Sequence, residues 1–196
     1  MKWAAVRRAV PNDVTGISQL WASASKWLAS HGSDQWQYPA NENRITDDIE
    51  NGKVFVAVPN FMASDSELFG TITLDVSPDP EFWEDADGGA LYVRRMITAP
   101  AARGHDLGSA LIDWAAGRAL LQPDPLPVLR LDAWKTNEAL HAYYTGQGFR
   151  RVRTVRLAHR RSGELFERPT AVRSYKGPLL HDIEHPSVDA DFRGTA

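Results

Sequence analysis

Cysteine is absent from all 196 residues. That excludes disulfides, thiolate metal sites and a cysteine nucleophile. Long apolar runs are missing too. No stretch approaches the ~20 residues of a membrane-spanning helix, and the opening MKWAAVRRAV lacks the apolar block of a secretory signal. Basic charge is not in excess: 22 Lys and Arg face 25 Asp and Glu, for a net charge of -3, so no field favours nucleic acid. Internal repeats and low-complexity tracts are absent as well. The expectation is a cytoplasmic protein that binds neither membrane nor nucleic acid. What is present, 43% hydrophobic and 24% charged residues, is the make-up of an ordinary folded domain with a real core.

Hydrophobic spacing and turn signals give an element order. WAAVRRAV (3–10) reads as a strand. Asn12 or Asp13 can cap a helix over 14–30, where Ile17, Leu20, Trp21, Ala24, Trp27 and Leu28 recur at helical spacing. A short polar helix over 41–52 ends at Gly52. KVFVAV (53–58), LFGTITLDV (68–76) and ALYVRRMIT (90–98) read as a three-stranded meander, with an acidic, proline-bearing loop over 77–89. A helix over 107–121, a strand over 128–134 and a helix over 137–147 follow. Strands over 149–158 and 169–176 close the order as an antiparallel pair. One domain over 1–176 and a polar tail over 177–196 are expected. The fold class is α/β (α+β mixed), with one mostly antiparallel sheet of about seven strands and about four helices.

The turn RGHDLGSAL (103–111) opens the helix over 107–121. A helix start exposes unpaired N–H groups and partial positive charge, and a tight turn before it can close several N–H groups around a phosphate. Gly104 and Gly108 let backbone approach closely, and Arg103 adds a cation. No Gly-Lys-Ser/Thr follows, so this is not a nucleotide P-loop, and it is not a dinucleotide G-x-G-x-x-G. A plain helix-starting turn fits the stretch by itself equally well.

Some thirty residues on stands LRLDAWKTNEALHAYYTGQGFRRV. Turn, helix, strand, Asn137 and the ending with Tyr144, Gly148 and Phe149 together resemble the GNAT superfamily of acetyl-CoA-dependent N-acetyltransferases. The resemblance covers about 90–157 closely. Arg103 and Gly108 match the family signature Q/R-x-x-G-x-G/A, while Asp106 stands where that signature has its central glycine. A carboxylate aimed at a diphosphate would repel it, by about 1 to 4 kcal/mol at ~4 Å. The expectation is therefore that Asp106 faces away, in left-handed backbone, and caps the helix through a first-turn N–H.

The resemblance implies that an amine attacks the acetyl thioester directly, and the absence of cysteine agrees. It implies acetyl-CoA as cofactor and no metal. The diphosphate would be held by Arg103, Gly104, His105, Asp106, Leu107, Gly108 and Ser109. Met96, Ile97 and Thr98 would lie along the pantetheine, with an N–H near Met96 as oxyanion donor and Asn137 bonding the pantetheine amides. Tyr144 is the candidate general acid for the thiolate, two helical turns from Asn137 on the same face. Tyr143 is expected to point elsewhere. The acceptor ammonium, with a pKa near ~10.4, needs a base. Asp75 is the first candidate and Glu81 the second, among Asp79, Glu84, Asp85 and Asp87 in the acidic loop. Arg94 and Arg95 are expected to pair with nearby acids, and His31 and His141 to be structural or surface residues.

Trp36 and Trp83, in polar loops beside acids, are the candidate acceptor contacts. Aromatic faces with carboxylates suit a small cation with an apolar body, so a small-molecule primary amine is the expected partner, and a homodimer is allowed for. Three other readings stay open: a silent acyl-CoA-binding sensor, a protein N-terminal or lysine acetyltransferase, and a structural or interaction domain on the same fold.

Overall fold

A computed structural model of the chain describes residues 4–59, 67–84, 89–102 and 104–185. Eight strands form one mixed sheet: β1 (Ala4–Arg8), β2 (Val54–Pro59), β3 (Gly70–Asp75), β4 (Ala90–Thr98), β5 (Val128–Trp134), β6 (Arg150–Thr154), β7 (Ser162–Pro169) and β8 (His181–Asp182). Across the sheet they run β6-β7-β5-β4-β3-β2-β1-β8. Only the β4–β5 and β1–β8 pairs are parallel. Four helices cover the sheet: α1 (Val14–Ser30), α2 (Glu42–Glu50), α3 (Leu107–Leu120) and α4 (Glu138–Gly146). The mixed α/β layout expected from the sequence is the one observed, with an eighth strand added.

The helices divide between the two faces. α1 and α2 are amphipathic, and bury Ile17, Leu20, Trp21, Ile45 and Ile49 against Val54 and Val56 of β2. Asn41 caps α2 by accepting the Arg44 N–H at 3.0 Å. α3 is buried almost all round. Its small residues, Ala110, Ala115, Ala116 and Ala119, let it lie close on the opposite face, over Val6, Phe55, Ile72 and Leu91.

Strand alternation in β4 changes side at one point. Leu91 and Val93 face the α3 core, yet Ile97, also odd-numbered, belongs to the α1/α2 core. Between them the register slips: Thr71 pairs with Ile97 and Thr73 with Arg94, so β4 carries one residue more than β3. Arg95 takes left-handed backbone there, with φ 46. This is a β-bulge, and it re-aims every side chain that follows.

Two sequence expectations need correction. The final strand is predicted over 169–176; the observed strand is β7, and 170–176 holds no strand. β7 is disguised by charge, because Glu164 and Arg168 are 2% and 0% exposed. Arg168 is neutralised by Asp113 of α3 at 3.0 Å. The same Asp113 carboxylate accepts the N–H groups of Ser174 and Tyr175, at 3.0 and 2.9 Å, holding that segment against α3 rather than in the sheet. Residues 177–185, predicted as the start of a polar tail, are docked. Leu180 is buried, β8 pairs with β1, and Asp182 accepts the Trp114 indole N–H at 2.9 Å.

Candidate active site

β4 and β5 hydrogen-bond only over residues 90–92 and 128–130. Beyond that point the strands part, and the β5-facing edge of residues 93–98 has no strand partner among the described residues. A cavity of about 1190 Å³ opens in this fork, with residues 93–98 on one side and 131–134 on the other. Met96, Ile97 and Thr98, expected along the pantetheine, all line it. An unpaired strand edge offers its N–H and C=O groups to an extended, amide-bearing ligand.

The turn before α3 lies beyond the outer end of the fork. Gly104 (φ 84) and Asp106 (φ 49, ψ 45) are both left-handed. Aspartate enters that conformation more readily than most residues, which is how it can stand in for glycine. The expected cap bond is not formed: the exposed Asp106 side chain bonds no amide of α3. The first-turn amides therefore keep their anion-binding capacity. His105 is exposed, and its carbonyl accepts the Tyr175 hydroxyl at 3.2 Å. Leu107 and Ser109 are buried. Arg103 lies outside the described residues.

Gly108 proves to make room for a side chain. A Cβ there would sit 2.5 Å from the Tyr143 hydroxyl, which in turn lies 3.4 Å from Ser109 Oγ. Tyr143, predicted to point elsewhere, lines the same cavity as Tyr144. Burial pushes the Tyr143 hydroxyl up to about 12.

Tyr144 is buried, 5.6 Å from Phe149 and 5.5 Å from Tyr143 between ring centres. Its hydroxyl makes no hydrogen bond among the described residues, and burial raises its pKa well above that of a free phenol. A phenol so placed stays protonated and is free to donate. Asn137 is committed differently from expectation. Its Oδ1 accepts the Leu140 N–H at 3.0 Å and caps α4; its Nδ2 donates to Gln35 Oε1 at 2.7 Å. It fixes the start of α4 and ties it to the loop between α1 and α2.

Neither candidate base lines the cavity. Asp75 is buried in an ion cluster, 3.0 Å from Lys53 Nζ and 3.4 Å from Arg94 Nη1, and accepts the Ser77 N–H at 3.0 Å. Burial pushes its pKa up, but the Ser77 amide, Lys53 and Arg94 outweigh it and hold the carboxyl below its ordinary value. Glu81 is exposed, and its oxygens meet Arg160 at 2.6 Å and His159 at 2.8 Å. Asp85 and Asp87 lie outside the described residues. Arg95 pairs with Asp48. His31 and His141 have backbone partners, the carbonyls of Trp27 and Trp134, each at 2.8 Å.

Of the two tryptophans, Trp36 lines the cavity, stacked on Trp21 at 4.7 Å. Trp83 does not. It is 2% exposed, under the Arg130 guanidinium at 4.7 Å and beside Tyr92 at 6.0 Å. With Phe82 it anchors the acidic loop to the β6–β7 side of the sheet. Tyr38 and Trp134 complete the aromatic wall, 6.4 Å apart. The loop that carries Trp36 and Tyr38 is latched to β5 by Asp34, which accepts the Trp134 indole N–H at 2.8 Å and the Thr136 hydroxyl at 2.7 Å.

The sequence reading missed Asp132. It lines the cavity from β5, and burial raises its pKa despite a Ser162 hydrogen bond and the nearby Arg160 and Arg94. The signal was present in VLRLDAW: the one acid of a mostly apolar strand, on the face opposite Leu131 and Ala133.

The comparisons with known proteins agree with this geometry. A family model described as the acetyltransferase (GNAT) family matches residues 19–149. YesJ of Bacillus subtilis, an uncharacterized N-acetyltransferase, is 29% identical over 148 residues, 72% of this chain and 78% of the relative. A GNAT-family acetyltransferase structure from Listeria monocytogenes has a TM-score of 0.69 at 26% identity, covering 85% of this chain and 94% of that one. The fold is shared with the PaiA N-acetyltransferase of Thermoplasma acidophilum, solved with coenzyme A, at a TM-score of 0.60, 14% identity and 85% and 98% coverage. With a match over more than half its length that spans the fork, the turn and the α4 motif, this chain belongs to the GNAT family of acetyl-CoA-dependent acetyltransferases.

Proposed function

We propose that the protein acetylates the primary amine of a small molecule by direct attack, with Tyr144 as general acid. The observation that carries this reading is the fork between β4 and β5. It supports one continuous cavity with two kinds of lining: the strand edge and Tyr144, and the aromatic group Trp21, Trp36, Tyr38 and Trp134. The free edge of residues 93–98 and the uncapped start of α3 fit an extended arm that ends in a diphosphate. When bound, acetyl-CoA supplies the activated acetyl thioester. The backbone after the bulge at Arg95 aligns that arm, and an N–H near Met96 faces the developing oxyanion. The buried Tyr144 hydroxyl gives its proton to the leaving sulfur.

An aromatic enclosure latched by Asp34 suits a compact acceptor better than a polypeptide. The test is thiol release from acetyl-CoA with tyramine, putrescine, spermidine and lysine, against peptides with free N-termini or internal lysines. At least one small amine should release thiol and gain one acetyl group by mass. Faster acetylation of the peptides than of every small amine contradicts the small-molecule reading. No release with any amine contradicts the activity itself.

A further inference from the structure

Among the described residues only two carboxylates reach the cavity wall, Asp79 and Asp132. Asp79 is spent on Arg160, at 2.7 Å. Asp132 makes no ion pair among the described residues; it has a hydrogen bond from Ser162 and lies in the field of Arg160 and Arg94. Its place in β5 is two residues past the last pairing with β4, where the fork opens. Leu131 and Ala133 point into the α3/α4 core, so Asp132 projects to the other face, where the aromatic wall stands. Tyr144 lines the same cavity from the α3/α4 core, with Leu131 and Ala133, and its titration senses the Asp132 charge, as does that of Tyr38.

We infer that Asp132 receives the acceptor: its carboxylate holds the incoming ammonium at the fork and takes the protons that nitrogen must lose. The inference rests on the acetyltransferase reading above and adds the base that this reading leaves unnamed. The steps balance. Nitrogen loses two protons: the ammonium gives the first to Asp132, which passes it to solvent, and the second goes to Asp132 as the N–C bond forms and the C–S bond breaks, while Tyr144 gives its proton to sulfur; one proton is released net. Solvent exchange then returns Asp132 to its carboxylate and Tyr144 to its phenol.

Four arginines line this cavity, and three are neutralised: Arg94 by Asp75, Arg95 by Asp48 and Arg160 by Asp79 and Glu81. The groups facing Asp132 are thus Arg94 of β4, Arg160 and Ser162 at the start of β7, Asp79 after β3, Tyr38 after α1 and Tyr144 of α4. The fourth, Arg44, is exposed on α2 and is not among the charges acting on Asp132, so no arginine in an ion pair with Asp132 stands where an ammonium would. Burial raises the Asp132 pKa, which strengthens the group as a base and makes its ionised form a burden on the fold. The sign is definite. A raised carboxyl pKa favours the native state below the ordinary value, and that stability is lost as pH rises through the folded value. Asp132→Asn should therefore lose no stability at neutral pH.

The test follows the pH profile of kcat/KM for thiol release with the best small amine of the panel, in wild type, Asp132→Asn and Asp132→Glu. Acetyl-CoA affinity by calorimetry and the melting temperature are read alongside. Asp132→Asn should lower kcat/KM by about a hundredfold or more and flatten its acidic limb. Its acetyl-CoA affinity should be unchanged and its melting temperature unchanged or higher, and Asp132→Glu should recover part of the rate. Three results overturn the inference alone, with wild-type turnover intact: Asp132→Asn within threefold of wild type with its acidic limb kept, loss of acetyl-CoA binding in that variant, or a lower melting temperature. A wild-type protein that turns over no amine overturns the parent reading instead, and the inference with it.

Discussion

Residues 75–84 carry four carboxylates, whereas β5 carries one. In the first region Asp75, Asp79 and Glu81 are each matched to a cation: Asp75 to Lys53 and Arg94, and both Asp79 and Glu81 to Arg160. Two aromatic residues, Phe82 and Trp83, then sink the loop into the sheet. In β5, Asp132 faces a cavity with no such partner among the described residues. Asp132 is half-buried, and holding a charge partly away from water without an ion pair carries a cost, so a fold keeps such a group only where something offsets it. A crowd of acids mostly pairs with the basic residues around it. The one acid of β5, without an ion pair among the described residues, has been left for something that arrives.

The comparison divides residues into those that act on rate and those that act on stability, and three substitutions sharpen it. The largest effect belongs to the cavity. Tyr144→Phe should lower kcat by about a hundredfold, equivalent to roughly 2.7 kcal/mol of barrier, with acetyl-CoA affinity held. Equal losses in turnover and affinity would make Tyr144 a packing residue. Next comes the acidic region. Asp75→Asn should cost about 2 kcal/mol of stability by denaturant unfolding while sparing kcat. Because the Asp75 pKa is lowered, its contribution is present above the ordinary aspartate value and is lost as pH falls through the folded value. Wild type and variant should therefore converge on acidification; a gap that widens in acid would contradict the ion cluster. The smallest effect is at the turn. Asp106 is exposed and left-handed, so its charge is screened. Asp106→Gly should change acetyl-CoA affinity by less than about threefold, and a gain of a hundredfold or more would mean that the carboxylate opposes the diphosphate.

Periodicity and turn chemistry in the sequence carried most of the fold. β4 and β5 were legible residue for residue, because β-branched and aromatic runs end there at glycine- and proline-rich turns. β7 was hidden because Glu164 and Arg168 make a buried strand look like a surface segment, and only tertiary pairing with Thr154 and Asp113 reveals it. β8 was hidden by its length, two residues, and by Asp182. The candidate site divides similarly. Met96, Ile97, Thr98, Trp36 and Tyr144 were legible as cavity residues through motif spacing or loop position. Trp83 and Asp75 were misassigned because exposure and ion pairing are not written in local sequence. Asp132 was passed over because its meaning depends on where two strands part, a property of neither strand alone.

Hydrogen–deuterium exchange with and without acetyl-CoA tests the central claim most directly. If the free edge of β4 and the uncapped start of α3 hold the cofactor, added acetyl-CoA should slow exchange in peptides covering residues 94–98 and 104–110, and leave those covering 75–84 unchanged. Unchanged exchange at both 94–98 and 104–110 under saturating acetyl-CoA would contradict the account.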